Sequence, residues 1–241
     1  MARSFADIAF TPTVREFQTR MGSRRNYAAL DEVESRGTRL TEREAEFIGE
    51  RDGFYQATVG ETGWPYVQFR GGPAGFLKVL DDRTIGYADF RGNVQYISAG
   101  NLSQDGRIAL ILMDYALRRR LKVWGRARLV DARDDEALIA QLEVPSYRAR
   151  IERAVIISIE AFDWNCPQHI TPRYTEAEVE AATANLRGEV ARLRAEVDSL
   201  RVRVPDRDPR SVGEGPLSLV VSGVQQLTPR IRAYTLRAAD G

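Results

Sequence analysis

The stretch PYVQFRGGPAGFLKVLD, residues 65–81, sets Arg70, Gly71, Gly72, Pro73, Ala74 and Gly75 between two strand-like runs. Glycines lack Cβ, so their amides can approach a ligand closely and adopt positive φ. Successive amides can cradle an anion, and an arginine fork can grip phosphate oxygens. The same residues are also ordinary hairpin-turn chemistry with an exposed arginine.

Three further stretches carry groups of this kind. In YADFRGNVQYISAGNLSQDGRIALILMDY, residues 87–115, a strand ending at Asp89 is expected to turn through FRGN into a helix carrying Tyr96 and Ile97. Arg91, Gly92 and Asn93 then stand at the helix start, where free N–H groups favour an anion. Ser98 and Asn101 add a hydroxyl and an amide, although Asn93 could equally cap that helix and Asn101 end it. In LRRRLKVWG, residues 117–125, three arginines head a strand whose alternation puts Arg120 and Lys122 on one face. Two cations on a strand face are usually solvated, or they can meet a phosphate. In WNCPQHITPRY, residues 164–174, Cys166, His169 and Arg173 lie close together. Cys166 reads as a small buried hydrophobe, whereas His169 or Arg173 could reach a ligand.

These groups need a scaffold, and the pattern predicts one rich in strands. GFYQATV, YVQF, GFLKVL, TIGYAD, RIALILMDY, RLKVWGRARLV and AVIISIEAF are short aromatic and β-branched runs bounded by turn residues. Many short strands with few helices predict an antiparallel barrel, whose closure removes sheet edges. Two short helices are expected before them, the second opened by a capping box of Thr41 and Glu44. Ser23, Arg24 and Arg25 between the two read as a solvated loop or an anion contact. DDEALIAQL reads as one more helix before the last of these strands.

The chain has 241 residues, 43% hydrophobic and 29% charged, with net charge +1. That balance supports an ordinary core and gives no global field toward nucleic acid or an anionic membrane. One cysteine rules out an intrachain disulfide and a multi-cysteine metal site, and one histidine leaves a single candidate base. The sequence has no apolar run of spanning length and no secretory pattern at its start, so a cytoplasmic protein is expected.

Taken together, RGGPAGF, GNVQYISAGNL, DYALRRRLKVWG and WNCPQHITPRY resemble the pyridoxamine 5'-phosphate oxidase-like flavoproteins, the FMN-binding split barrels. The likeness runs in order over residues 20–174. It implies a mainly β fold with flanking helices and a split barrel that holds flavin mononucleotide (FMN) near a subunit interface. Carried over residue by residue, Arg70, Gly71, Asn93, Ser98, Asn101, Arg120, Lys122 and Arg173 are the implied cofactor-binding set. Val94 departs from the pattern, since many members carry a basic residue there; Arg91 or Arg119 could cover for it. No catalytic triad is needed, because the cofactor carries the redox chemistry and the protein positions it.

Beyond the barrel, Val179, Leu186, Leu193 and Leu200 alternate with Thr183, Val190, Val197 and Val204 in steps of four and three. β-Branched a positions with leucine at d predict a parallel two-stranded coil, and Glu189 and Glu196 at g would meet Arg194 and Arg201 at e. A single helix packed on its own barrel would usually show a wider stripe. The tail LSLVVSGVQQLTPRIRAYTLRAADG reads as a hairpin resembling the start of a ferredoxin-reductase-type flavin domain.

The expected organisation is thus a split-barrel domain over 1–174, a coiled-coil-like helix over 175–204, a linker over 205–216 and a β-hairpin over 217–241. The expected function is an FMN-dependent oxidoreductase, homodimeric, acting on a small molecule and binding neither nucleic acid nor membrane. A flavin- or haem-binding module without turnover, or an interaction protein using the coil, are the alternatives. Reduction by a nicotinamide donor followed by oxidation in air separates the first from the second.

Overall fold

The computed structural model describes residues 5–28, 37–164, 167–203, 219–228 and 230–238. Cys166, Val204 and the expected linker 205–216 lie outside them. The chain divides into two compact units, Met1–Thr175 and Glu176–Gly241.

The first unit opens with α1 (Phe5–Ala9), α2 (Pro12–Arg20), α3 (Arg24–Ala28) and α4 (Glu42–Gly49). Two of these four were not expected from the sequence: α1 and α3 are five residues each, too short to show a helical period. The expected loop at Arg24 and Arg25 is therefore helical, and Arg24 Nη1 donates to Gln18 Oε1 at 3.2 Å. The strands are β1 (Gly53–Val59), β2 (Pro65–Gly71), β3 (Lys78–Asp81), β4 (Thr84–Phe90), β5 (Arg107–Asp114), β6 (Arg119–Asp131) and β7 (Ile151–Trp164). Between them lie α5 (Ile97–Gln104) and α6 (Glu136–Leu142).

The seven strands form one sheet in the order β2-β1-β5-β6-β7-β4-β3, with every pairing antiparallel. Flat, β1 and β4 would lie roughly 19 Å apart at about 4.8 Å per strand. Yet the rings of Phe54 on β1 and Tyr87 on β4 are 5.4 Å apart, centroid to centroid. The sheet is therefore rolled into a barrel around Phe54, Tyr87, Leu112, Leu121, Val123 and Ile157. No ladder joins the edge strands β2 and β3 among the described residues, so the ring expected from strand content is split at that seam.

Several sequence details fix this shape. β5 alternates between buried and half-buried residues from Ile108 on, as a strand with one face on the core must. β6 slips register against β7 between Trp124 and Gly125, and a Cβ at Gly125 would stand 2.5 Å from the Ser158 carbonyl oxygen. α4 closes one end with buried Phe47 and Ile48, and Phe47 packs edge-on against Trp164. α6 covers the outside of β4 and β7 through Leu142 over Ala88, Ala154 and Ile156. The run GFLKVL is strand only from Lys78. Phe76 and Leu77 are buried in the turn before it, where Gly75 takes φ +78.

In the second unit, α7 (Glu176–Arg203) is a continuous helix of 28 residues. β8 (Leu219–Thr228) and β9 (Ile231–Ala238) form an antiparallel hairpin. No helix among the described residues is long and apolar enough to cross a membrane.

Candidate functional site

The barrel's seam is bridged by side chains. Gln68 and Arg70 on β2 sit opposite Gln56 and Phe54 on β1, so they share the inward face. Arg70 Nη1 lies 2.9 Å from Asp89 Oδ1 on β4. The two groups form an ion pair without hydrogen-bond alignment, and Arg70 Nε is buried with no hydrogen-bond partner among the described residues. Asp89 Oδ2 accepts from Arg153 Nη1 at 2.6 Å. Arg153 also reaches Glu152 Oε2 at 3.2 Å, and Arg91 Nε stands 3.9 Å from Glu152 Oε1. Asp89 is buried, so two guanidinium groups on one carboxylate are the pairing its desolvation demands. Just inside, the buried Tyr87 hydroxyl donates to Gln56 Oε1 at 2.5 Å. Burial pushes this phenol far above its ordinary value, with Arg70 opposing and Asp89 adding, so Tyr87 stays a neutral donor.

Above this cluster, residues 91–96 fold back over the seam and close a cleft of about 40 Å³ lined by Tyr66, Gln68, Arg70, Asn93, Tyr96 and Ser98 among others. Val94 and Tyr96 both take left-handed φ, 57° and 55°. For a β-branched residue such as Val94 that conformation is costly, and strain of this kind concentrates at ligand sites. Asn93 Oδ1 accepts from the Gln95 amide at 3.2 Å, which shapes the turn. The Tyr96 hydroxyl donates to Glu152 Oε1 at 3.1 Å, and Arg153 lies over its ring. Ser98 Oγ donates to Gln68 Oε1 at 3.0 Å, so the amino end of Gln68 is what that amide can offer a ligand.

Of the residues nominated from sequence, Arg70, Asn93 and Ser98 line this cleft together. The helix there begins at Ile97. Arg91, Gly92 and Asn93 therefore belong to the preceding turn rather than to the helix start. Asn101 points its amide at Thr58 Oγ1, 3.0 Å away, tying α5 to β1. Gly71 is packed rather than open, since a Cβ there would stand 2.9 Å from the Phe69 ring. Gly72 is tighter still against buried Phe76, at 2.7 Å. Arg120 and Lys122 do share a face, but not the face of Arg70. The registers align Arg70 with Phe54, Phe54 with Leu112 and Leu112 with Leu121, so Arg70 and Leu121 face inward and Lys122 outward. One chain therefore does not gather Arg70, Arg120 and Lys122 around a single phosphate.

On that outer face, Lys122 Nζ is 3.3 Å from Asp163 and lies over the Phe5 ring. Arg120 Nε is buried without a hydrogen-bond partner among the described residues. Arg173 stacks over Tyr115, whose hydroxyl is 3.5 Å from that of Tyr55. The bond to Tyr55, then burial, raises the Tyr115 phenol above its ordinary value. His169 is exposed with φ 62. Tyr55, Val67 and Phe69 leave this face apolar and open, at 37%, 61% and 58% exposure.

Sequence reasoning missed Asp89, Glu152, Arg153 and Gln68. Asp89 did leave a signal: Ile85, Tyr87 and Asp89 occupy one face of β4, so an inward carboxylate ends an inward apolar row. Its partner Arg153 lies 64 residues away and left none.

Comparison with known proteins gives the lineage. The model of a family described as pyridoxamine 5'-phosphate oxidase matches residues 40–165, more than half of the chain and all seven barrel strands. Among solved structures, the chain is similar to a putative pyridoxamine 5'-phosphate oxidase from Lactobacillus delbrueckii, 22% identical with a TM-score of 0.41 over 54% of this chain and 97% of that one. HupZ of Group A Streptococcus is 18% identical, with a TM-score of 0.41 over 56% and 99%. An FMN-binding protein from Syntrophomonas wolfei is 13% identical, with a TM-score of 0.39 over 61% and 97%. No curated protein matches. By the family match over its entire barrel, the chain belongs to the pyridoxamine 5'-phosphate oxidase family.

Proposed function

We propose that the chain is an FMN-dependent oxidoreductase whose seam cleft takes the phosphate end of the cofactor. The observation that carries this reading is Arg70 Nε, a donor buried in the cleft wall with no hydrogen-bond partner among the described residues. A buried guanidinium donor left open fits an acceptor supplied by a ligand, because leaving it unpaired costs the full desolvation penalty.

The surrounding residues fit a phosphate monoester. Arg70, Arg91 and Arg153 outnumber the carboxylates of Asp89 and Glu152, so both acids are already neutralised. Arg70 supplies charge and Gln68 its amino group. Ser98 supplies a hydroxyl that a ligand would share with Gln68. Asp89 and Arg153 also line the cleft, and Asp89 pairs with Arg70 to hold it in place. The strained turn at Val94 and Tyr96 roofs the cleft and excludes water.

Bound there, FMN would supply hydride or electron transfer at its ring. The chain binds the phosphate, orients the ring and shields it from solvent. A second copy covering the open face of Tyr55, Val67 and Phe69 would bury apolar area and enclose Arg120 and Lys122 at the interface. This extends the reading to a homodimer.

The test is flavin titration of the apoprotein by fluorescence quenching, followed by anaerobic addition of NADH or NADPH and then air. Saturable quenching with donor-dependent bleaching and return of the yellow colour is the expected result. Quenching without bleaching by any donor would leave a flavin-binding module without turnover. No quenching would remove flavin from the account.

A further inference from the structure

α7 presents an interaction surface that the cleft does not use. Its apolar side chains form one narrow stripe. Val179, Leu186, Leu193 and Leu200 fall at heptad position d, and Thr183, Val190 and Val197 at a. The six apolar members are 39–65% exposed. Thr183 Oγ1 donates to the Val179 carbonyl oxygen at 2.7 Å, so its hydroxyl is satisfied within the helix and its methyl completes the stripe. The helix carries Gly188 in its interior, where glycine costs about 1 kcal/mol relative to alanine. Helices draw most of their stability from packing an apolar face. Left uncovered, this one lacks its main source.

We propose that α7 is completed by α7 of a second copy of the chain, in a parallel, in-register, two-stranded coiled coil. Three observations choose that occupant. The stripe is two positions wide per heptad, the width of a coiled-coil seam rather than of a helix lying on a globular surface. β-Branched residues at a with leucine at d select two parallel strands. Charge selects the orientation. Glu189 and Glu196 stand at g, and Glu180, Arg187, Arg194 and Arg201 at e. In a parallel pair, Glu189 faces Arg194 of the other copy and Glu196 faces Arg201. An antiparallel pair would set Glu189 against Glu196 and Arg187 against Arg194 at its centre, a repulsion that disfavours the wrong partner geometry.

Within one helix, Arg192 at position c donates to Glu189 at 2.7 Å and reaches Glu196 at 3.4 Å. These pairs hold both glutamates beside the stripe and leave it clear. Such exposed pairs contribute only a few tenths of a kcal/mol each. The stripe therefore holds the pair together, and the charges set its direction. This inference does not depend on flavin binding.

Cysteine cross-linking of the full chain in a Cys166→Ser background tests it. Leu186→Cys and Leu200→Cys replace exposed side chains at the two ends of the stripe, so neither threatens the fold. In a parallel, in-register pair each variant alone forms a disulfide-linked dimer on mild oxidation, and adding Leu193→Asp slows the reaction at least tenfold. Cross-linking only when the two variants are mixed would show an antiparallel pair and overturn the proposal. Absence of cross-linking in both, with or without mixing, would mean that the stripe docks within its own chain, and would overturn it equally.

Discussion

Arg70 and Asp89 meet at 2.9 Å across the seam of the barrel, although four strands separate theirs in the sheet. Laid flat, β2 and β4 would be roughly 24 Å apart at about 4.8 Å per strand. The carboxylate that meets Arg70 also takes Arg153, so one buried group holds both sides of the seam and aims the cleft's cation. Removing one partner of a buried ion cluster leaves uncompensated charge and costs about 3–5 kcal/mol. Asp89→Asn is expected to lose about 3 kcal/mol in urea unfolding at neutral pH. A loss under about 1 kcal/mol would mean that backbone packing alone holds the seam.

The roof of the cleft stores strain. Val94 is a β-branched residue at φ 57, half exposed, with little packing to lose. The left-handed conformation costs about 1–2 kcal/mol, and glycine gives back about 0.5–1 kcal/mol in entropy. Val94→Gly is therefore expected to raise stability by about 0.5–1 kcal/mol, read from the unfolding midpoint, while loosening flavin by freeing the turn. A destabilised variant would show that Val94 is held by contacts rather than strained.

Two part-buried carboxylates should contribute to acid unfolding of the barrel. Burial alone would raise Glu44, but hydrogen bonds from Thr41 and Trp164 outweigh it and hold Glu44 below its ordinary 4.5. Burial likewise opposes Asp114, yet the Leu117 amide, Arg119 and Arg51 hold it below 3.8. Both groups are depressed in the folded state, so their stabilisation is complete above the ordinary values and is lost as pH falls through the folded ones. These two groups should leave stability flat from about pH 5 to about pH 8 and lower it steeply below about pH 4. Glu44→Gln and Asp114→Asn should each make that fall shallower, as measured by urea unfolding across the acid range.

The strands were legible because their residues alternate. GFYQATV is β1 residue for residue, and the capping box at Thr41 and Glu44 opens α4 as its spacing predicts. GFLKVL misled because an apolar run does not distinguish a buried turn from a strand, and Phe76 and Leu77 are buried in the turn. The site was legible in part for a related reason. Alternation placed Arg120 and Lys122 on a common face. Which face that is relative to Arg70 depends on three strand registers, and local pattern does not carry those. Gly71 looked like backbone opened for a ligand, but the space its missing Cβ leaves is taken by Phe69. The ion cluster at Asp89 joins residues from β2, β4 and β7, and only the folded seam brings them together.

The central claim is that Arg70 receives the cofactor's phosphate, and it is tested most directly by comparing FMN with riboflavin, which lacks that phosphate. A charged hydrogen bond contributes about 1.5–3 kcal/mol, or about 10- to 150-fold in affinity. The native chain should bind FMN more tightly than riboflavin. Arg70→Gln should lose about 10- to 150-fold of that preference, with riboflavin affinity and circular dichroism unchanged. An undiminished preference for FMN in a folded Arg70→Gln variant would contradict the account and place the phosphate elsewhere.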